Sequence, residues 1–191
     1  GFLVGWNRQL AWGATALGSD AADLVEVAGP IEERTDVIKV KDGADVPLTL
    51  RRSKAGPVVT GLFPRPPADK QFALRWITLE RPSSLEGLMA MSRATDWASF
   101  EEAMKRYHAP GLHIVYADAS GTLAYRTLAT IPWRTCVHGA RSPHSESCEW
   151  KPIPFHLMPR MINPASGFVS HANNTPVGAW YPFDIYGGGD T

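Results

Sequence analysis

Two apolar runs, FLVGW and QLAWGAT, flank the polar pair Asn7-Arg8 and predict a buried hairpin over residues 2–16. Beyond Asp23 the pattern becomes a strict alternation with a period of two. VIKV (37–40) and VPLTLRR (46–52) lie on either side of the turn KDGAD, so Ile38 and Val40 should share a face with Val46, Leu48 and Leu50. PVVT (57–60) and QFALRWITLE (71–80) add two more strands around the proline-rich FPRPPAD. Residues 24–80 thus read as a small all-β unit, expected to close into a barrel because short strands must hide their edges.

A period near 3.6 appears only afterwards. LEGLMAM (85–91) predicts a short helix and TDWASFEEAMKRY (95–107) a stronger one, with Asp96 as N-cap and Trp97, Phe100, Met104 and Tyr107 on one face. Glu101 and Lys105 stand at i, i+4 spacing, and Ala109-Pro110-Gly111 ends the run. HIVYADASGTLAYRT (113–127) predicts a strand, a turn at 119–121 and a returning strand. WKPIPFHLMPRMINP reads as loop because of its prolines, and GFVSHANNTP (167–176) as a last strand entering an Asn-Asn turn.

Charge removes several classes of partner. The 191 residues carry 19 Lys and Arg against 19 Asp and Glu, with no basic block, which argues against nucleic acid and anionic membrane. No apolar run approaches the roughly 18 residues of a membrane span. Arg8, Gln9 and Trp12 interrupt the first 17 residues, which do not form a secretory leader. Because Gly1 already stands in a predicted strand, the chain is expected to be a piece of something longer.

Candidate chemistry is sparse. Asp20 and Asp23, with a carbonyl between them, could give three oxygens to calcium, or could simply cap and solvate a turn. Asn173 and Asn174 have the form of a turn, His171 has no serine–acid pair beside it, and the seven tryptophans suit a core. Cys136 and Cys148 could form a disulfide, remain thiols or, with His138 and His144, hold zinc; their spacings do not match the usual zinc fingers.

The order of motifs adds a resemblance. GWNRQLAWGATALGSDAADL is similar to the G-x-N-x-x-I-A-W-G-x-T-x-x-x-x-D-x-x-D-L/I signature of the penicillin acylase family. FALRW, PGLHIVYADASGTLAYR, Trp150 with PIPF, NPASGFVSHANNTP and YPFD then follow in that family's order, over nearly the whole chain. One departure is His113, which stands where an asparagine is common.

The resemblance implies an α+β fold: part of an Ntn-hydrolase αββα sandwich (residues 1–20 and 85–191) with a small β-barrel insert (21–84). It implies hydrolysis of an acyl side chain from a linear amide by an N-terminal serine using its own α-amine as base. Residue 1 here is glycine, so the nucleophile is expected upstream and the chain alone is expected to be inactive. The oxyanion donors fall on the backbone N–H of Ala16 and the carboxamide of Asn173. Calcium would be bound by Asp20, the Ala22 carbonyl, Asp23 and Asp184, with further ligands from elsewhere. The expected partners are an acyl-amide substrate and the remaining α-chain and β-chain segments of one precursor, in a periplasmic or extracellular setting. A reading from another class stays open, a calcium-stabilised β-rich module binding carbohydrate or peptide.

Overall fold

The computed structural model describes residues 3–136 and 144–187, with the main chain alone at 144 and 145. In chain order the elements are β1 (Gly5–Trp6), β2 (Leu10–Ala16), β3 (Ala22–Glu26), β4 (Glu32–Ile38), β5 (Val46–Ser53), β6 (Gly56–Pro57) and β7 (Phe72–Trp76). The helices α1 (Ile77–Glu80), α2 (Leu85–Met91) and α3 (Trp97–Met104) follow. The chain continues through β8 (Leu112–Asp118), β9 (Leu123–Leu128), β10 (Pro132–Arg134), β11 (His144–Ser145), β12 (Trp150–Pro152) and β13 (Arg160–Ile162). The result is a strand-rich α+β chain with few helices. It divides into two compact units, Gly1–Ala21 with Glu80–Trp133 and Trp150–Thr191, and Ala22–Leu79 with Arg134–Glu149.

The first unit is built on a five-stranded sheet in the order β1-β2-β8-β9-β13. The alternation read from the sequence sorts its two faces. Leu10, Trp12, Leu112, Ile114, Tyr116, Ala124 and Leu128 point to α2 and α3 and bury Met91, Phe100, Ala103 and Met104 beneath them. Trp12 and Tyr116 meet Phe100 at ring separations of 5.5 and 5.0 Å, so aromatic area supplies much of this layer. Asp96 caps α3 as expected: its Oδ1 accepts from the Ser99 N–H at 2.8 Å while Ser99 Oγ accepts from the Asp96 N–H. Asn7, the asparagine of the first motif, fixes the hairpin. Its Oδ1 accepts from the amides of Gln9 and Leu10, and its Nδ2 donates to the Ala94 carbonyl at 2.8 Å. On the opposite face Gly13 is small for a reason, because a Cβ there would approach Val115 Cγ2, its cross-strand neighbour, to 3.1 Å.

The second unit departs from the expected barrel. Its strands form two open three-stranded sheets, β11-β3-β7 and β4-β5-β6, and no barrel closes among the described residues. The β4–β5 hairpin pairs Ile38 with Val46, yet Ile38, Val46, Leu48 and Leu50 all stay exposed, so its apolar face does not curl onto a core. Of the αββα sandwich, the first unit holds one sheet and one helical layer; a second sheet facing it is not formed among the described residues.

Three further elements differ from expectation. Residues 77–80 turn into α1 because the alternation of β7 stops at Trp76. The proline-rich 150–164 stretch contains β13, whose Arg160–Ile162 pair with Arg126–Ala124 on β9. Residues 167–176 form no strand; Phe168, which suggested one, is 65% exposed.

Candidate functional site

β2 presents the first predicted donor at its end. The Leu17 N–H donates to the Gly111 carbonyl at 3.0 Å, and Ala16 lies opposite Leu112. In an antiparallel ladder this makes 16:112 a non-hydrogen-bonded pair, so the Ala16 N–H points away from β8. The strand on that side, β1, pairs only with Ala11 and Trp12 and stops short of it.

Beside Ala16 the sheet carries a polar row on the face away from the helices. Thr15 lies opposite His113, and His113 opposite Thr127. His113 is 1% exposed. Its Nδ1 lies 2.7 Å from the Tyr125 hydroxyl, which lies 2.9 Å from Thr127 Oγ1. Burial, with the neighbouring His171 second, pushes the His113 imidazole down to about 4, and burial raises the Tyr125 phenol to about 12.

His171 packs on this row. Its ring stacks on His113 with centroids 3.6 Å apart and planes 27° apart, and lies 5.1 Å from the Tyr125 ring. Its Nδ1 is 3.4 Å from Thr15 Oγ1. Burial lowers its pKa also. Among the described residues, the Nε2 atoms of both histidines are buried without a hydrogen-bond partner. Sequence alone gives His171 no partner; its pairing with His113 joins two residues remote in the chain that only the fold brings together.

Two residues past His171 stands Asn173, in left-handed backbone at φ 61°. It is exposed, and among the described residues its carboxamide has no hydrogen-bond partner. The turn is held locally: the Ala172 N–H donates to Asn174 Oδ1 at 3.2 Å, and Asn174 Nδ2 donates to the Thr175 carbonyl. The Thr15–His171 contact therefore joins the immediate neighbour of Ala16 to the turn that carries Asn173.

The predicted calcium ligands are arranged less simply. In the first unit, Asp20 runs beside the stretch that holds Asp184: its N–H donates to the Ile185 carbonyl at 3.4 Å, and Ser19 bridges to Tyr186. Asp184 is exposed. In the second unit, Ala22 and Asp23 open β3, and Arg134 takes both carboxylate oxygens of Asp23, Nε to Oδ2 at 2.7 Å and Nη2 to Oδ1 at 2.9 Å. That pair is nearly buried, with side chains 2% and 8% exposed. A guanidinium already neutralises this carboxylate, so Asp23 as it stands does not fit a divalent cation. No three His, Cys, Asp or Glu side chains gather as a metal site among the described residues.

Cys136 and Cys148 are joined in a disulfide, Cα atoms 5.4 Å apart, which removes the thiol and zinc readings for this pair. His138 lies outside the described residues, as does the side chain of His144. No helix among the described residues is long and apolar enough to cross a membrane.

Known proteins are similar to this chain in sequence and in fold. The Penicillin G acylase of Escherichia coli is 27% identical over 97% of this chain, and the Penicillin acylase 2 proenzyme of Pseudomonas sp. (strain SE83) is 29% identical over 80%. The chain spans only 24% and 20% of their respective lengths. Among solved structures, a thermostable Penicillin G acylase from Alcaligenes faecalis superimposes with a TM-score of 0.80 at 25% identity, over 96% of this chain and 36% of that one. The sequence profile of the family described as Penicillin amidase matches residues 1–190, and the chain belongs to that family.

Proposed function

We propose that the first unit supplies the oxyanion-stabilising part of an amide hydrolase that removes an acyl side chain from a linear amide. The backbone N–H of Ala16 and the carboxamide of Asn173 would receive the negative charge that develops on the carbonyl oxygen during attack. Both are neutral donors held by the fold, so they stabilise that charge without reorganising. The supporting observation is Asn173 itself: an exposed, unpartnered carboxamide on a left-handed residue, in a turn tied through His171 to Thr15. Asparagine takes left-handed backbone at little cost, so the turn can present this side chain without strain.

The nucleophile in this reading is an N-terminal serine on another segment of the same precursor; the name of the Pseudomonas relative as a proenzyme supports processing. Export to a periplasmic or extracellular space accords with the Cys136–Cys148 disulfide. Calcium is no part of the proposal, because Arg134 already holds both carboxylate oxygens of Asp23. No step of hydrolysis is routed through the ion.

The experiment is Asn173→Ala in the processed enzyme, assayed on a chromogenic acyl anilide. Loss of one oxyanion donor should lower kcat about 100- to 1,000-fold with KM little changed. An unchanged kcat would remove Asn173 from catalysis and the reading with it.

A further inference from the structure

Among the described residues no backbone hydrogen bond ties residues 168–176 to the sheet; the connection is made by the His171 ring. Three contacts converge on that ring. Thr15 Oγ1 lies 3.4 Å from its Nδ1, His113 stacks on it at 3.6 Å, and the Tyr125 ring lies nearly parallel at 10° and 5.1 Å. Thr15 precedes one proposed oxyanion donor, and Asn173 follows His171 by two residues. We infer that His171 is a positioning residue that holds the Asn173 turn against the end of β2, and that it does so only as the neutral imidazole. This deepens the proposed function and rests on it.

The neutral form is required because, among the described residues, no group packed against the ring can compensate a proton. From β2, Leu10–Ala16 offers no charged side chain. On β8 the facing group is His113, while Asp118 at the strand's far end accepts from Tyr116, Ser120 and Thr122. On β9 the facing groups are Tyr125 and Thr127; Arg126 is paired with Glu101, as is Arg160 of β13. A proton on His171 would place a cation directly against a buried imidazole with no carboxylate in reach. Burial lowers both histidines' proton affinity, which agrees with this geometry. Once charged, the ring leaves the stack for solvent and carries the Asn173 turn with it.

The test uses the processed enzyme and kcat measured across pH on a chromogenic acyl anilide. His171→Ala should lower kcat at least 10-fold with KM changed less than about threefold. His171→Asn, whose Nδ2 can replace the Nδ1 contact to Thr15 but does not titrate, should recover most of kcat at pH 8 and hold it further into acid than the unsubstituted enzyme does. If His171→Ala does not fold, Thr15→Val removes only the hydroxyl and should show the same loss in kcat. An unchanged kcat in His171→Ala or Thr15→Val, or a pH profile of His171→Asn identical to the parent, overturns the inference while Asn173→Ala stays impaired. An active Asn173→Ala overturns the functional reading and this inference together.

Discussion

Arg134 donates two hydrogen bonds to Asp23, at 2.7 and 2.9 Å, across 111 positions of sequence. The pair gives the second unit a monovalent organic cation where the family resemblance had suggested a divalent metal. Breaking a buried pair from one side is expensive because a charge is left behind in poor solvent. Arg134→Met is therefore expected to destabilise the chain by about 3 kcal/mol in urea unfolding. For the same reason the melting temperature of the unsubstituted chain should not move when excess chelator is added.

Gly87 sets two effects against each other. Alanine is the better helix former in α2 by about 1 kcal/mol. A Cβ at this position, however, would lie 2.9 Å from the backbone C of Arg106 and the N of Tyr107, which cannot step aside as a side chain could. Overpacking of this kind typically costs about 1–3 kcal/mol, so the clash wins. Gly87→Ala is expected to lower the denaturant midpoint, whereas Gly61→Ala, where a Cβ would meet nothing within 4 Å, should leave it nearly unchanged.

His113 predicts the direction of acid instability. Its folded pKa is about 4, below the usual 6.5, so the unfolded chain binds the proton more readily between those values. Its contribution is complete above pH 6.5 and is lost as pH falls towards 4, at up to about 1.4 kcal/mol per pH unit. Unfolding measured at pH 7 and pH 5 should show the drop. In His113→Asn the difference between the two pH values should shrink.

The disulfide closes a loop with a sequence separation of 12. In the chain-entropy model a loop of this size contributes on the order of 3 kcal/mol. Reduction, or the double change of Cys136 and Cys148 to serine, should lower stability by about that amount, read in thermal melts with and without reductant.

Local chemistry made parts of the fold legible. Asp96 at the start of a 3.6-period run is a complete signal for α3, and the hairpins around Asn7 and Gly121 follow from alternation flanking turn residues. Where pairing rather than pattern decides, the sequence misled. Arg160–Ile162 became strand β13 because β9 offered an edge, despite the prolines around it, and Phe168 drew 167–176 into a strand prediction although no partner strand receives it. The site divides in the same way. The roles proposed for Ala16 and Asn173 rest on motif, while the Thr15–His171–His113 contact and the Arg134 pairing join residues remote in sequence and of ordinary local composition.

The β4–β5 hairpin leaves one more consequence. β4 is an edge strand of seven residues whose own partner row is apolar and open to water, the kind of surface on which chains stack into fibres. Glu32, Glu33, Arg34 and Asp36 punctuate it, and Arg34–Asp36 and Glu33–Arg51 pair at 2.8 and 3.0 Å. These charges act as gatekeepers, so colloidal behaviour on storage depends on residues that take no part in the chemistry.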